Sequence, residues 1–208
     1  MAAVSETIVR EFFELNEFLV RQHRKFMRQT RREEDEDVDF FVLNPQPELT
    51  SGKLPFVLSS ADLRFIERAI VVVKGWHTET FSPGRVGHLP EIFCFVEPKL
   101  FKQAARAFAP DMAPLKILVV PALPQDTDVR DQSITLLRSR GIDAVIPFHT
   151  ILADILARVE TNRNYHKSDL LQILRILKTY DLIKEPQLEL FKRSAAASRK
   201  KPLSKQGR

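Results

Sequence analysis

The chain has 208 residues, 44% of them apolar, with a net charge of +5. That is enough apolar material for one packed domain with a small appendage, and it excludes a wholly disordered chain. The single cysteine, Cys94, excludes an intramolecular disulfide and a cysteine-cluster zinc site, and points to a reducing, cytoplasmic compartment.

No apolar run approaches the roughly 20 residues that cross a bilayer, so no membrane association is expected. The start, MAAVSETIVREFF, lacks the basic-then-apolar order of a secretory signal. The basic excess is local. Residues 192–208 carry seven lysines and arginines and no acid, which leaves the remaining body close to neutral. A patch or tether for nucleic acid is compatible with that pattern, whereas a wholly basic surface is not.

Residues 5–29 read as one long helix capped by Ser5. Ile8, Phe12, Leu15, Phe18 and Leu19 recur at helical spacing and form one apolar stripe. Glu11 lies within that stripe and Glu14 flanks it; a carboxylate there needs a partner or an edge position. The RQTRREEDEDVD segment reads as a solvated loop. Residues 38–45 read as a strand ended by Asn44-Pro45, and residues 47–54 as turn.

Residues 61–77, ADLRFIERAIVVVKGWH, read as two short strands joined by a tight turn, with Asp62 opening the first and Lys74 closing the second. A three-residue turn at Glu67, Arg68 and Ala69 places Asp62 opposite Lys74 and Arg64 opposite Val72 on one face. A two-residue turn at Glu67-Arg68 sends Asp62 and Lys74 to opposite faces, but that pair suits the favoured two-residue turns poorly. An Asp62–Lys74 cross-strand ion pair is the plain alternative to a site. Beyond the lysine, Trp76 is a stacking candidate, and His77 with Glu79 a candidate ligand pair.

The TFSPGRVGHLP stretch is irregular. Residues 91–109 are ambiguous in their first half and helical from about Pro98; Lys99 and Gln103, one turn apart, could meet phosphate. Residues 116–123 read as a buried strand, 128–140 as an amphipathic helix ended by Gly141, 142–148 as a second buried strand and 151–159 as a helix. His149 has no evident partner. This alternation argues for an α/β sheet with right-handed crossovers. Residues 161–191 read as a helical extension. Its helix is capped by Ser168, carries Leu170, Leu171, Leu174 and Leu177 on one face, and could pack on the core, form a homodimer or belong to a small helical DNA-binding unit. Residues 192–208 are too polar to fold. No phosphate-binding glycine loop, dinucleotide fingerprint or nucleophile elbow is present.

The order of elements over residues 1–160, with Glu11, Asp62 and Lys74 as its marks, resembles the PD-(D/E)XK restriction-endonuclease-like superfamily. The resemblance implies an αβββαβ core sheet flanked by helices, with DNA or RNA as partner. It further implies magnesium held by Asp62, Glu11 and a displaced glutamate, Glu79 or Glu67, with Lys74 assisting attack. Hard oxygen ligands and a nearby lysine suit phosphodiester cleavage because magnesium lowers the pKa of bound water and neutralises developing charge. The sequence departs from the family at Val72, two residues before Lys74, where a second-strand carboxylate belongs. Lys99, Arg199, Lys200 and Lys201 are the expected nucleic-acid contacts. The alternative function is a non-catalytic interaction scaffold using its C-terminal helix and basic tail.

Overall fold

The computed structural model describes residues 2–22, 38–49, 52–108 and 113–183. The first helix, α1 (Ala2–Leu15), is followed by β1 (Leu19–Gln22) and β2 (Phe40–Leu43). A 3₁₀ segment (Ser60–Phe65) precedes β3 (Arg68–Val73). Then come α2 (Pro83–Gly87), two short 3₁₀ turns, α3 (Pro98–Ala105), β4 (Leu115–Val120), α4 (Thr127–Ser139), β5 (Ala144–Pro147), α5 (Phe148–Arg158) and α6 (Asp169–Thr179).

The five strands form one mixed sheet in chain order, β1-β2-β3-β4-β5. The first three make an antiparallel meander, and β3, β4 and β5 run parallel. This is an α/β fold with helices on both faces. Strand alternation separates two apolar layers. Phe40, Val42, Ala69, Val71, Ile117, Val119, Ala144 and Ile146 join Val9, Phe12 and Phe13 of α1 and Ile151 and Ile155 of α5. Phe41, Ile70, Val72, Leu118, Val120 and Val145 face the other way, against Val86 of α2, Ile92, Phe95 and Leu137 of α4. The connections β3→β4 and β4→β5 thus both pass over this second face, as parallel crossovers of one hand require.

The opening helix is shorter than the apolar spacing predicts. It ends at Leu15, and Glu17 takes a left-handed backbone (φ 66°). That geometry lets the Phe18 amide return to the Phe13 carbonyl at 3.0 Å. Asn16 donates from Nδ2 to the Phe12 carbonyl at 2.8 Å and to Asp154 on α5 at 2.9 Å. Arg158 donates to the same Asp154 oxygen at 3.1 Å and to the Leu15 carbonyl at 3.4 Å. These bonds satisfy the carbonyl end of α1 and turn the chain into β1. Leu19, placed in the helical stripe by its spacing, is an exposed strand residue instead. Residues 23–29 lie outside the described set.

The second correction is the hairpin. Residues 60–65 form a 3₁₀ segment, and β3 pairs with β2 and β4 rather than with residues 61–66. The local cause is Asp62, whose Oδ2 accepts from the Ser59 amide at 2.7 Å and from the Ser59 hydroxyl at 2.6 Å. That bonding turns the chain at Ser59 and favours a helical start over an extended one.

Two further readings shift: the stretch read as irregular contains α2, started by Ser82 and Pro83, and α5 begins at Phe148 rather than Ile151, which shortens the strand read as 142–148 to β5. Residues 38–45 contain β2, α3 starts at Pro98, and the two buried runs form β4 and β5. Gly141 ends α4 with φ 91°, a left-handed conformation that glycine adopts without strain. Residues 90–96, left ambiguous by pattern, are two 3₁₀ turns rather than a strand. The Ser168 hydroxyl caps α6 by accepting from the Leu171 amide. Leu171 and Leu174 pack α6 onto the first apolar layer. The expected tail, with Arg199, Lys200 and Lys201, lies outside the described residues.

Candidate functional site

Parallel strands gather loop residues at their carboxyl ends, where α/β proteins commonly bind ligands. Here that edge is formed by the segment after β3, by the start of α5 after β5, and by the opening of α1. The Lys74 amide donates to the Val119 carbonyl at 3.0 Å, extending the β3–β4 pairing by one residue. The Lys74 ammonium lies 5.9 Å from the centre of the Trp76 ring. Trp76 in turn packs into the second apolar layer beside Phe81, 6.0 Å between ring centres.

Gly75 passes directly over α1, close to Ser5. The buried Ser5 hydroxyl lies 3.0 Å from His77 Nε2, and the His77 ring stands edge-on to Phe148 at 4.4 Å. The helix opening, the β3 exit and the start of α5 are therefore fastened at one point. Ser5 belongs to the body of α1 rather than capping it.

On the antiparallel side of β3 stands an acid that the sequence pattern did not mark as chemical. Asp39 precedes β2 and is buried. Its amide donates to the Val71 carbonyl at 3.1 Å, and its Oδ2 accepts from the Val73 amide at 2.7 Å. The carboxylate is thus fixed at the end of β3, one residue before Lys74. An acid placed immediately ahead of a fully apolar strand was the available signal, since buried carboxylates persist only with hydrogen-bond partners.

The residues marked by sequence are spread across the fold. Glu11 is buried on α1, with Oε1 accepting from Arg10 at 3.3 Å. Burial raises the neighbouring Glu14 carboxyl above its ordinary value; Arg10 opposes the rise and Glu11 adds to it. Asp62 is occupied with Ser59, as described. Glu67 pairs with the buried Arg68 next to it. Glu79 pairs with Arg85 of α2 at 3.2 Å and does not share a strand face with His77. Lys99 and Gln103 are exposed on α3, and His149 is exposed on α5. Val72 is fully interior, packed in the second apolar layer.

These residues do not fit a magnesium site as arranged. The position that should carry the second-strand acid is an aliphatic core residue, and the other candidate oxygens already have basic or hydroxyl partners. Among the described residues no three His, Cys, Asp or Glu side chains stand close enough to share a metal ion. What the edge does hold is one fixed carboxylate, one lysine beside an indole, and a serine–histidine contact. That set suits binding through charge and stacking.

No helix among the described residues is long and apolar enough to cross a membrane. Comparison of the chain with family models, with curated proteins and with solved structures gives no significant match.

Proposed function

We propose that this is a nucleic-acid-associated protein whose core is a divergent, non-cutting version of the restriction-endonuclease-like αβββαβ fold. The observation that carries the reading is Asp39, held against the Val73 amide one residue before Lys74. Asp39 is an acid beside the strand that Lys74 continues, where the resemblance looked for one at Asp62; Glu11 stays apart, paired with Arg10 on the helix over the other apolar layer. The order helix, three-strand meander, helix, strand supports it as well. The aliphatic residue at Val72 argues for gripping phosphate without cleaving it, because a phosphodiesterase site of this type needs that oxygen ligand for its cation.

The test is a cleavage and binding assay with magnesium on single- and double-stranded DNA and RNA. Binding without turnover is the expected result, with affinity reduced in Lys74→Ala. Magnesium-dependent cleavage that disappears in Asp39→Asn and Lys74→Ala would overturn the non-cutting part. Failure to bind any of the four nucleic acids at low salt would overturn the whole proposal.

A second reading, a non-catalytic interaction scaffold, is favoured by α6. Ile173, Ile176 and Tyr180 lie exposed at successive turns of that helix, with exposed Leu182 just beyond it. Arg175 and Lys178, by contrast, turn back to the carbonyls of Thr161, Leu156 and Val159. A second copy of the chain is the partner this stripe would take. Sedimentation of the full chain is then expected to show a dimer that Ile173→Ser with Ile176→Ser converts to monomer. A wild-type monomer at high micromolar concentration would remove this reading.

A further inference from the structure

The opposite end of the parallel strands carries a different surface. Three basic side chains there each lie over a phenylalanine ring. The Lys116 ammonium, at the start of β4, is 4.7 Å from the centre of the Phe101 ring on α3. The Arg138 guanidinium, in the last turn of α4, is 4.8 Å from Phe56. Arg140, which follows α4, is 5.5 Å from Phe93.

Backbone bonding makes these three pairs neighbours. The Lys116 and Asp143 segments are tied by Asp143 N–H to the Lys116 carbonyl at 3.0 Å and by Lys116 N–H to the Asp143 carboxylate at 2.8 Å. Val145 donates to the Phe56 carbonyl at 2.7 Å. Gly141, between Arg140 and β5, faces Val96 just after the Phe93 turn.

Few of the described carboxylates neutralise the cations of this rim. Arg10, Arg64, Arg68, Arg85 and Arg158 each pair with a carboxylate. Arg138 and Arg140 are exposed, and among the described residues neither pairs with one. Lys116 has Asp143 at 3.9 Å. The helix that supplies Phe101 also exposes Lys102, with Arg106 just past its end.

Cations held on aromatic faces lose little freedom when they meet an anion, because the ring already orients them. Alternating positive and aromatic groups is the chemistry that tracks a phosphate backbone while meeting unpaired bases on flat surfaces. An acidic peptide would use the cations but gain nothing from the rings. Duplex nucleic acid keeps its bases stacked inside and would do the same.

We propose that this rim, built from Lys116, Arg138 and Arg140 with the partly exposed rings of Phe93 and Phe101 and with Phe56 buried beneath Arg138, is a binding surface for single-stranded nucleic acid. It is separate from the Asp39–Lys74 edge, and it rests on the nucleic-acid reading given above. The experiment is fluorescence anisotropy of the full chain with labelled single-stranded and duplex 20-mers of DNA and RNA, at two salt concentrations. Wild-type protein is expected to prefer the single strands. Arg138→Gln with Arg140→Gln should weaken single-strand binding about tenfold or more, erase the preference over duplex, and lower the salt slope by about 1.4. Phe93→Leu keeps the charge and should still weaken single-strand binding severalfold. Thermal melts of each variant identify any that fail to fold, and in that case Lys116→Gln replaces the double change.

If wild-type protein binds nucleic acid and folded rim variants bind it equally well, this surface is overturned while the broader reading stands. If wild-type protein binds none of the oligonucleotides, both fall. Equal binding of a polyglutamate peptide, in competition with the single strand, overturns the nucleic-acid assignment of the rim.

Discussion

Replacing Phe13 by alanine is expected to cost about 3–5 kcal/mol of stability, the range for truncating a fully buried aromatic. For a domain of this size that corresponds to a melting temperature lower by roughly 6–20 °C. Phe13 has no exposed surface, and its ring stands edge-on between Phe12 at 5.3 Å and Phe18 at 5.4 Å. Phe12 belongs to the body of α1, while Phe18 lies beyond the turn that leads into β1. Removing the middle ring leaves a cavity and also disconnects the helix from the strand it launches. The Phe13 carbonyl accepts from both Asn16 and Phe18, so this turn depends on the same residue through its backbone. Denaturant unfolding of Phe13→Ala beside the exposed control Leu19→Ala tests the assignment. A small loss for Phe13→Ala would contradict it, and a large loss for Leu19→Ala would make Leu19 as interior as a continuous helical stripe requires.

The second large effect is at Gly75. A β-carbon added there would lie 2.3 Å from Ser5 Oγ and 2.8 Å from Ser5 Cβ. Rotation about χ1 relieves the first contact but not the second, since Ser5 Cβ is fixed to the backbone of α1. Gly75→Ala is therefore expected to lose about 1–3 kcal/mol by overpacking. It should also disturb the Ser5–His77 contact and shift the neighbouring Lys74. The compensating change is Ser5→Gly, which removes both obstructing atoms at the cost of a glycine in a helix. In a double-mutant cycle the two substitutions should be strongly non-additive, the pair being less damaging than the sum of the singles. Strict additivity would mean that β3 and α1 are not in contact at this point.

Much of the α/β framework was legible in the sequence. Uninterrupted apolar runs marked β4 and β5, because strands covered on both faces leave no solvent side to be polar. Gly141 marked the end of α4 and Ser168 the start of α6, since each residue type has a conformational or hydrogen-bonding reason to be there. The end of α1 was not legible. It depends on Glu17 adopting a left-handed backbone and on Asn16, Asp154 and Arg158 meeting across a large sequence separation. Helical spacing continues through Phe18 and Leu19 with nothing local to break it.

The hairpin reading failed for a different reason. Residues 61–77 are rich in strand formers throughout, but the Ser59-x-x-Asp62 spacing ahead of them is itself a helix-start signal. The true partner of β3 across the antiparallel ladder is β2, with Phe41 opposite Ile70 and Val42 opposite Ala69. The acid beside that ladder is therefore Asp39, while Asp62 bonds Ser59. Lys74 does follow directly on a strand, as the apolar run indicated, and the acid nearest that strand end, Asp39, bonds to the Val73 amide from a different part of the chain. The rim of Lys116, Arg138 and Arg140 could not be read in advance, because Phe56, Phe93 and Phe101 reach it from three separate segments.

The two borders of the sheet differ in how they end the ladder. Beyond β5, the chain around Val57 adds a short parallel bridge to Val145 and takes up hydrogen bonds that border would otherwise offer. At the other border β1 has four described residues and shows Arg21 and Gln22 to solvent. A brief, charged outer strand is a poor template for a stranger's backbone. Along its described borders the sheet therefore offers copies of this protein little free ladder to extend, which leaves side-chain surfaces as the place for them to meet.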